Sequence, residues 1–230
     1  MNPNHSLRQQ ALFALLSGVA AISMVDNANA GAIYSATSAV INSGGPGFGT
    51  LTETFNQAGL SSGYTSGVTD FNTYIAGNPT HTTSFSPFEW FSNQGTTSAS
   101  VTYNLGTALS LDGFALWNEE SSGIGLLDLL YSTDGVNFNA LLSGLTPFDN
   151  PLAAYPAEVF SFSAVTAQYI RLDMSRCPQS NPGTFDACAI GEVAFRGADA
   201  GTPIPEPSSL ALVGLALAGV GVARRARRST

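Results

Sequence analysis

The sequence predicts an all-β sandwich, and three observations carry that reading. Only 10% of the 230 residues are charged, none of them lysine, while aromatics reach 10%. Gly, Ser, Thr and Asn are abundant. Short apolar or alternating segments recur with turn-forming residues between them, their starts roughly 10 to 15 residues apart. Amphipathic helices would need charged outer faces at helical spacing, and no segment between the two ends offers more than two or three such turns. Disorder requires low hydrophobicity with high net charge, whereas 44% of this chain is hydrophobic.

The strand-like segments run in a clear order. Ala99 to Leu105 alternates toward an apolar face through Val101, Tyr103 and Leu105, and Leu109 to Asn118 offers Leu111, Phe114, Leu116 and Trp117. Gly125 to Ser132 reads as a buried strand ending at Thr133-Asp134-Gly135. That tripeptide has turn chemistry, because Gly accepts positive φ and the Asp carboxylate bonds nearby amides. Phe138 to Leu142, Ala157 to Phe162, Gln168 to Asp173 and Ala189 to Gly197 complete the set. Gly31 to Trp90 is predicted to form loops and one or two edge strands over one end. No internal repeat is present.

Both termini read as addresses. Arg8 and His5 precede an apolar run from Ala11 to Ile22, which closes on Asn27-Ala28-Asn29-Ala30. A positive start, an apolar core and small residues before the cut make residues 1–30 a secretory signal peptide cleaved after Ala30. At the other end, Pro205-Glu206-Pro207 precedes an apolar stretch from Ser208 to Ala223, then Arg224, Arg225, Arg227 and Arg228. As a helix this stretch would span about 24 Å, close to a hydrocarbon core. The arginines would keep that end cytoplasmic and the main domain outside.

This ending resembles the PEP-CTERM sorting domain. The resemblance implies processing by exosortase, a membrane cysteine protease of Gram-negative bacteria that accompanies exopolysaccharide production. Pro205, Glu206 and Pro207 would be its recognition element. It implies a Sec-exported, inner-membrane-anchored precursor that passes to the cell surface or extracellular matrix. The predicted organisation is therefore a signal peptide at 1–30, a sandwich at 31–200, and a sorting segment at 201–230 with its helix at about 208–223.

The sandwich itself is acidic. Between Gly31 and Ile204 three arginines face 14 acidic residues, a net charge of −11. Such a domain repels phosphate backbones, which excludes nucleic acid as a partner. Several of its segments resemble the discoidin, or coagulation factor type C, group of galactose-binding-like jelly rolls. They are Val101 to Gly106, Leu111 to Trp117, the hairpin Tyr131 to Phe138, Gln168 to Leu172, and Ile190 to Phe195, with Glu89-Trp90-Phe91-Ser92 upstream. The resemblance covers about residues 85 to 197. It implies a non-catalytic module binding carbohydrate or exopolysaccharide. The rival reading is a structural matrix component without a specific small ligand, and a third is an uncharacterised hydrolase using His81.

Candidate site residues follow. Cys177 and Cys188 are the only cysteines, and in an exported chain they read as a disulfide. Galactose-binding-like domains often hold a structural calcium. Glu192 occupies the matching closing-strand position and Asp70 is the upstream candidate, although Phe71 follows it where the family has Gly. The alternative pairs Glu192 with an arginine across the sheet. Arg171, in an apolar strand, is expected to pair with a carboxylate. Tyr64, Tyr74, His81 and Trp90 are candidate exposed ligand contacts. No catalytic constellation emerges, and Glu119 and Glu120 are expected on a solvated loop rim, pointing to opposite faces.

Overall fold

In the computed structural model, residues 31–180 and 185–199 are described. The expected signal peptide, Pro205-Glu206-Pro207, the apolar stretch 208–223 and Arg224, Arg225, Arg227 and Arg228 lie outside them. Among the described residues no helix is long and apolar enough to cross a membrane. The strands are β1 (Ala32–Tyr34), β2 (Ser38–Ser43), β3 (Thr80–His81), β4 (Trp90–Phe91), β5 (Ser98–Asn118), β6 (Leu126–Ser132), β7 (Asn139–Leu145), β8 (Tyr155–Pro156), β9 (Glu158–Ser175) and β10 (Ala189–Asp199). A 3-10 turn (Leu51–Thr54) and a short α-helix, α1 (Phe71–Ala76), lie between β2 and β3.

Eight strands hydrogen-bond in the order β1-β10-β5-β9-β6-β7, with β2 also beside β5 and β4 beside β10, while β3 and β8 pair apart. Every pairing is antiparallel. Two long strands turn this sheet into a sandwich. The first half of β5 pairs with β2 (Asn104 opposite Ser38), and its second half pairs with β10 (Leu116 opposite Val193). Between the halves the register with β9 jumps from Asn104–Tyr169 to Leu109–Ala167. Gly106 sits in that bulge at φ +85°, a conformation open to Gly and strained for other residues. A strand that bends at a bulge passes from one layer to the other, so β5 and β9 belong to both. The sequence reading had split each into two strands; pairing continues across the bulge and joins them.

The layers enclose Val101, Tyr103, Leu111, Leu116, Val193 and Phe195, all fully buried. Burying a side chain of this kind contributes about 1.5–3 kcal/mol. Across the interior, the Tyr103 and Phe195 rings lie 6.3 Å apart. From Phe114 to Glu120 every residue is buried, on both faces of the strand. The outward residues Ala115 and Trp117 are covered by Ile33, Phe71, Tyr74 and Tyr155. The segment before Trp90 thus covers an outer sheet face, a larger role than the expected end cap. Asp70 starts α1 by accepting from Thr73 N at 2.7 Å.

Two expectations about side chains resolve differently. The Asp134 turn forms: its carboxylate accepts from Val136 N, Asn137 N and Asn137 Nδ2, which hold it well below the usual carboxylate range. Arg171 takes no carboxylate partner among the described residues. Its guanidinium lies 3.7 Å from the Phe138 ring centroid and its Nε donates to Thr102 Oγ1 at 3.2 Å. The ring face replaces the expected anion.

Candidate functional site

The chain's connections gather at one end of the sandwich, where side chains tie them to one another. Asn118, the last residue of β5, donates from Nδ2 to Phe148 O (2.9 Å) and to Gln179 Oε1 (2.8 Å). Its Oδ1 accepts from Ile124 N at 2.8 Å. One amide thus fixes the turn after β5 and the β7–β8 and β9–β10 connections. Ser122 Oγ donates to Phe185 O at 2.5 Å, and Phe48 and Phe91 exchange backbone hydrogen bonds of 3.0 and 2.9 Å. The disulfide Cys177–Cys188, with Cα atoms 4.9 Å apart, closes the connection that carries Phe185.

These connections enclose an open cleft of about 390 Å³, within the size range of small-ligand sites. Its walls are Phe48, Phe85, Phe91, Phe185 and Leu152. Three edge-to-face pairs link the rings: Phe48–Phe185 and Phe91–Phe185 at 5.6 Å, and Phe85–Phe91 at 6.4 Å. Phe48 and Phe85 remain 55% and 58% exposed.

Glu119 and Glu120 also line the cleft, and Glu89 joins them: one carboxylate oxygen from each lies within 4.8 Å of the others. The expected solvated rim is therefore corrected. All three are at most 5% exposed, because the chain turns inward directly after Asn118. Glu119 accepts from Ser121 N (2.9 Å), Ser121 Oγ (2.7 Å) and Ser122 N. Glu89 Oε1 accepts from Tyr155 Oη at 2.7 Å, with His81 Nδ1 3.3 Å away. By contrast, Glu89 Oε2 and Glu120 Oε2 have no hydrogen-bond partner. Burial first, then the neighbouring carboxylates, pushes Glu119 up to about 7 and Glu120 up to about 8.

The predicted ligand contacts are placed elsewhere. Trp90 and His81 are fully buried and cannot form an exposed platform. Trp90 Nε1 donates to Pro46 O at 3.0 Å, which satisfies its one polar group inside the core. His81 Nδ1 lies 2.9 Å from Thr82 O, an atom that only accepts, so Nδ1 carries a proton. Tyr74 is buried with its hydroxyl donating to Ser62 O (2.6 Å), and Tyr64 is half-buried against it, their rings 5.1 Å apart.

Asp70 and Glu192 do not fit a calcium ion. Calcium takes six to eight oxygens. Both Glu192 oxygens face the Gln57 amide N–H, a donor where an oxygen ligand is needed, at 3.3 and 3.1 Å. Asp70 is engaged by Thr73. Glu192 has no arginine partner among the described residues either, and burial pushes its carboxyl well up.

Sequence reasoning missed the cleft. Phe48, Phe85 and Phe185 lie in three separate connections and Phe91 in β4, and no local pattern marks them. The sequence signals are the pair Glu119-Glu120 and the segment Glu89-Trp90-Phe91-Ser92, and neither carries any sign of its burial.

No curated protein matches the chain. Its described fold is similar to solved carbohydrate-binding modules. One is a variant of chitosan-binding module 1 from a chitosanase/glucanase of Paenibacillus sp. IK-5 (TM-score 0.48, 16% identity, covering 73% of this chain and 99% of that one). Another, from Clostridium perfringens, is in complex with GalNAc-β-1,3-galactose (TM-score 0.42, 16% identity, 69% and 94%). A third is the CBM32 module of AlyQ, in complex with 4,5-unsaturated mannuronic acid (TM-score 0.43, 16% identity, 71% and 96%). Residues 203–228 match the PEP-CTERM protein-sorting motif, which marks an exported, membrane-anchored precursor that is then processed.

Proposed function

We propose that this chain is a non-catalytic, glycan-binding protein of the cell surface or extracellular matrix, delivered there by exosortase. In this reading residues 1–30 direct Sec export from the cytoplasm of a Gram-negative bacterium, 31–200 form the working sandwich, and 201–230 are removed after sorting. The observation that carries the proposal is the pairing of two features on one chain: the sorting motif at 203–228 and the open cleft walled by phenylalanines. Apolar rings in an open cleft suit the C–H face of a pyranose. A hydrolase would need two free carboxyl groups, about 5 Å or more apart, flanking the bond to be cut. Here Glu119 is bound to its own turn, and one oxygen from each of Glu89, Glu119 and Glu120 lies within 4.8 Å of the others, a cluster gathered on one side rather than a pair flanking a bond.

The test is a glycan array probed with the intact chain and with Phe185→Ala. Loss of one apolar ring contact is expected to weaken binding about tenfold. If no glycan binds, the producing organism's own exopolysaccharide included, the sandwich is a structural matrix component instead. Mass spectrometry of the mature protein tests the sorting half: the expected product lacks Arg224 to Arg228, and a released protein that retains them contradicts processing.

A further inference from the structure

We infer that a polar groove on the outer face of β2, β5 and β9 is a second ligand site, which takes a segment of neutral polysaccharide and lets one chain bridge two polysaccharide strands. Bridging also requires the glycan-binding reading of the cleft above; the groove shares no lining residue with that cleft. Its volume is about 180 Å³. Thr102 and Asn104 of β5 form its floor with Arg171 and Tyr169 of β9, Thr102 opposite Arg171 and Asn104 opposite Tyr169. Val101, Tyr103, Ile170 and Leu172, which alternate with them, belong to the core, so the floor residues face outward. Val40 of β2, 59% exposed, lines one side and the turn at Gly135 the other.

The floor is held in place while part of its hydrogen-bonding capacity stays unspent. Asn42 Nδ2 donates to Ser100 Oγ at 3.0 Å and to Thr102 Oγ1 at 2.8 Å. Arg171 Nε donates to the same Thr102 Oγ1, and its guanidinium rests on the Phe138 ring. Among the described residues, Arg171 Nη1 and Nη2 then have no hydrogen-bond partner. Asn104 Oδ1 accepts from Gly106 N at 2.8 Å, which leaves its Nδ2 as a further donor, and Asn42 Oδ1 remains as an acceptor. Gly135 lines the groove without a side chain. A Cβ there would meet Tyr169 Cζ at 3.1 Å, so the glycine keeps the turn from covering that ring.

A sugar suits this surface. Its hydroxyls both donate and accept, matching fixed amide and guanidinium groups, and the C–H face of a pyranose suits the Tyr169 ring. Charge selects a neutral polymer. Three arginines face 14 acidic residues between Gly31 and Ile204, and Asp173, held by Ser100 Oγ at 2.5 Å, lies on the same face as Arg171. A polyanion is repelled by that field, whereas uncharged hydroxyls are not. With a site in the cleft and another in the groove, the chain is bivalent, and a bivalent chain holds a polymer more tightly than either site alone.

The experiment is isothermal titration of the intact chain with cellohexaose, maltohexaose, hexagalacturonate and the producing organism's own exopolysaccharide. It is repeated on Arg171→Met, which keeps an apolar stem over Phe138, on Val40→Trp, which fills the groove from its exposed side, and on Phe185→Ala in the cleft. Circular dichroism of each variant confirms that it folds. A neutral glycan is expected to bind in Phe185→Ala, and adding Arg171→Met to that variant should weaken the remaining binding about tenfold. Val40→Trp should abolish it. Light scattering should show the wild-type chain cross-linking the exopolysaccharide and neither Phe185→Ala nor Val40→Trp doing so. Binding lost in Phe185→Ala and unchanged in both groove variants overturns the second site and leaves the glycan reading of the cleft standing. The reverse pattern upholds the groove and overturns the cleft. Binding in Phe185→Ala that ignores both groove substitutions, or that prefers hexagalacturonate, overturns the inference. Binding of no glycan overturns both readings.

Discussion

At the scale of single residues, burial decides roles that residue type leaves open. Trp90 looks like a stacking platform in the sequence, yet its indole N–H reaches Pro46 O and its ring joins the core. Trp90→Ala should therefore cost about 3–5 kcal/mol of stability, read as a shift in the urea midpoint, and is a poor probe of binding. The carboxylates beside the cleft make a second prediction. Glu119 and Glu120 hold their protons more tightly in the folded chain than the usual value of 4.5. The folded state thus carries extra protons as pH rises from there, and stability falls through that interval until about 8. Glu192, also pushed up by burial, acts in the same direction. The melting temperature should be lower near pH 8 than near pH 5, and Glu120→Gln should flatten the drop. An unchanged slope in that variant would show that the drop has another source.

At the scale of elements, the bulge in β5 and the closed β9–β10 connection matter most. Gly106 lets β5 change layers, and a Cβ there would come within 3.0 Å of Thr37 Cγ2 at a positive φ. Gly106→Val is expected to lose about 1–3 kcal/mol in denaturant unfolding. The disulfide constrains the connection that positions Phe185 against Phe48 and Phe91. Cys177→Ser with Cys188→Ser should cost about 3 kcal/mol by the loop-entropy argument, and ligand affinity should fall with it. Retained affinity in a folded double variant would show that Ser122 and Asn118 hold the connection without the crosslink. Most strands were legible in the sequence, because alternation from Ala99 to Leu105 and the turn at Asp134-Gly135 are local signals. Their fusion into β5 and β9 was not, since continuity across a bulge depends on the partner strand.

At the scale of the whole molecule, the sorting motif says where the chain goes and the cleft says what it can meet there. By itself the sequence determined the β class, the acidic balance, the cysteine pair and the tail at 203–228. All of these rest on composition or on residues close together in the chain. Only the tertiary structure decided which aromatics are core and which are surface, since exposure depends on what covers a side chain from elsewhere. Trp90 and His81 went inside; Phe48 and Phe85 stayed at the cleft. It also decided that Glu89 would meet Glu119 and Glu120, an encounter set by the packing of loops far apart in sequence, which no spacing rule encodes.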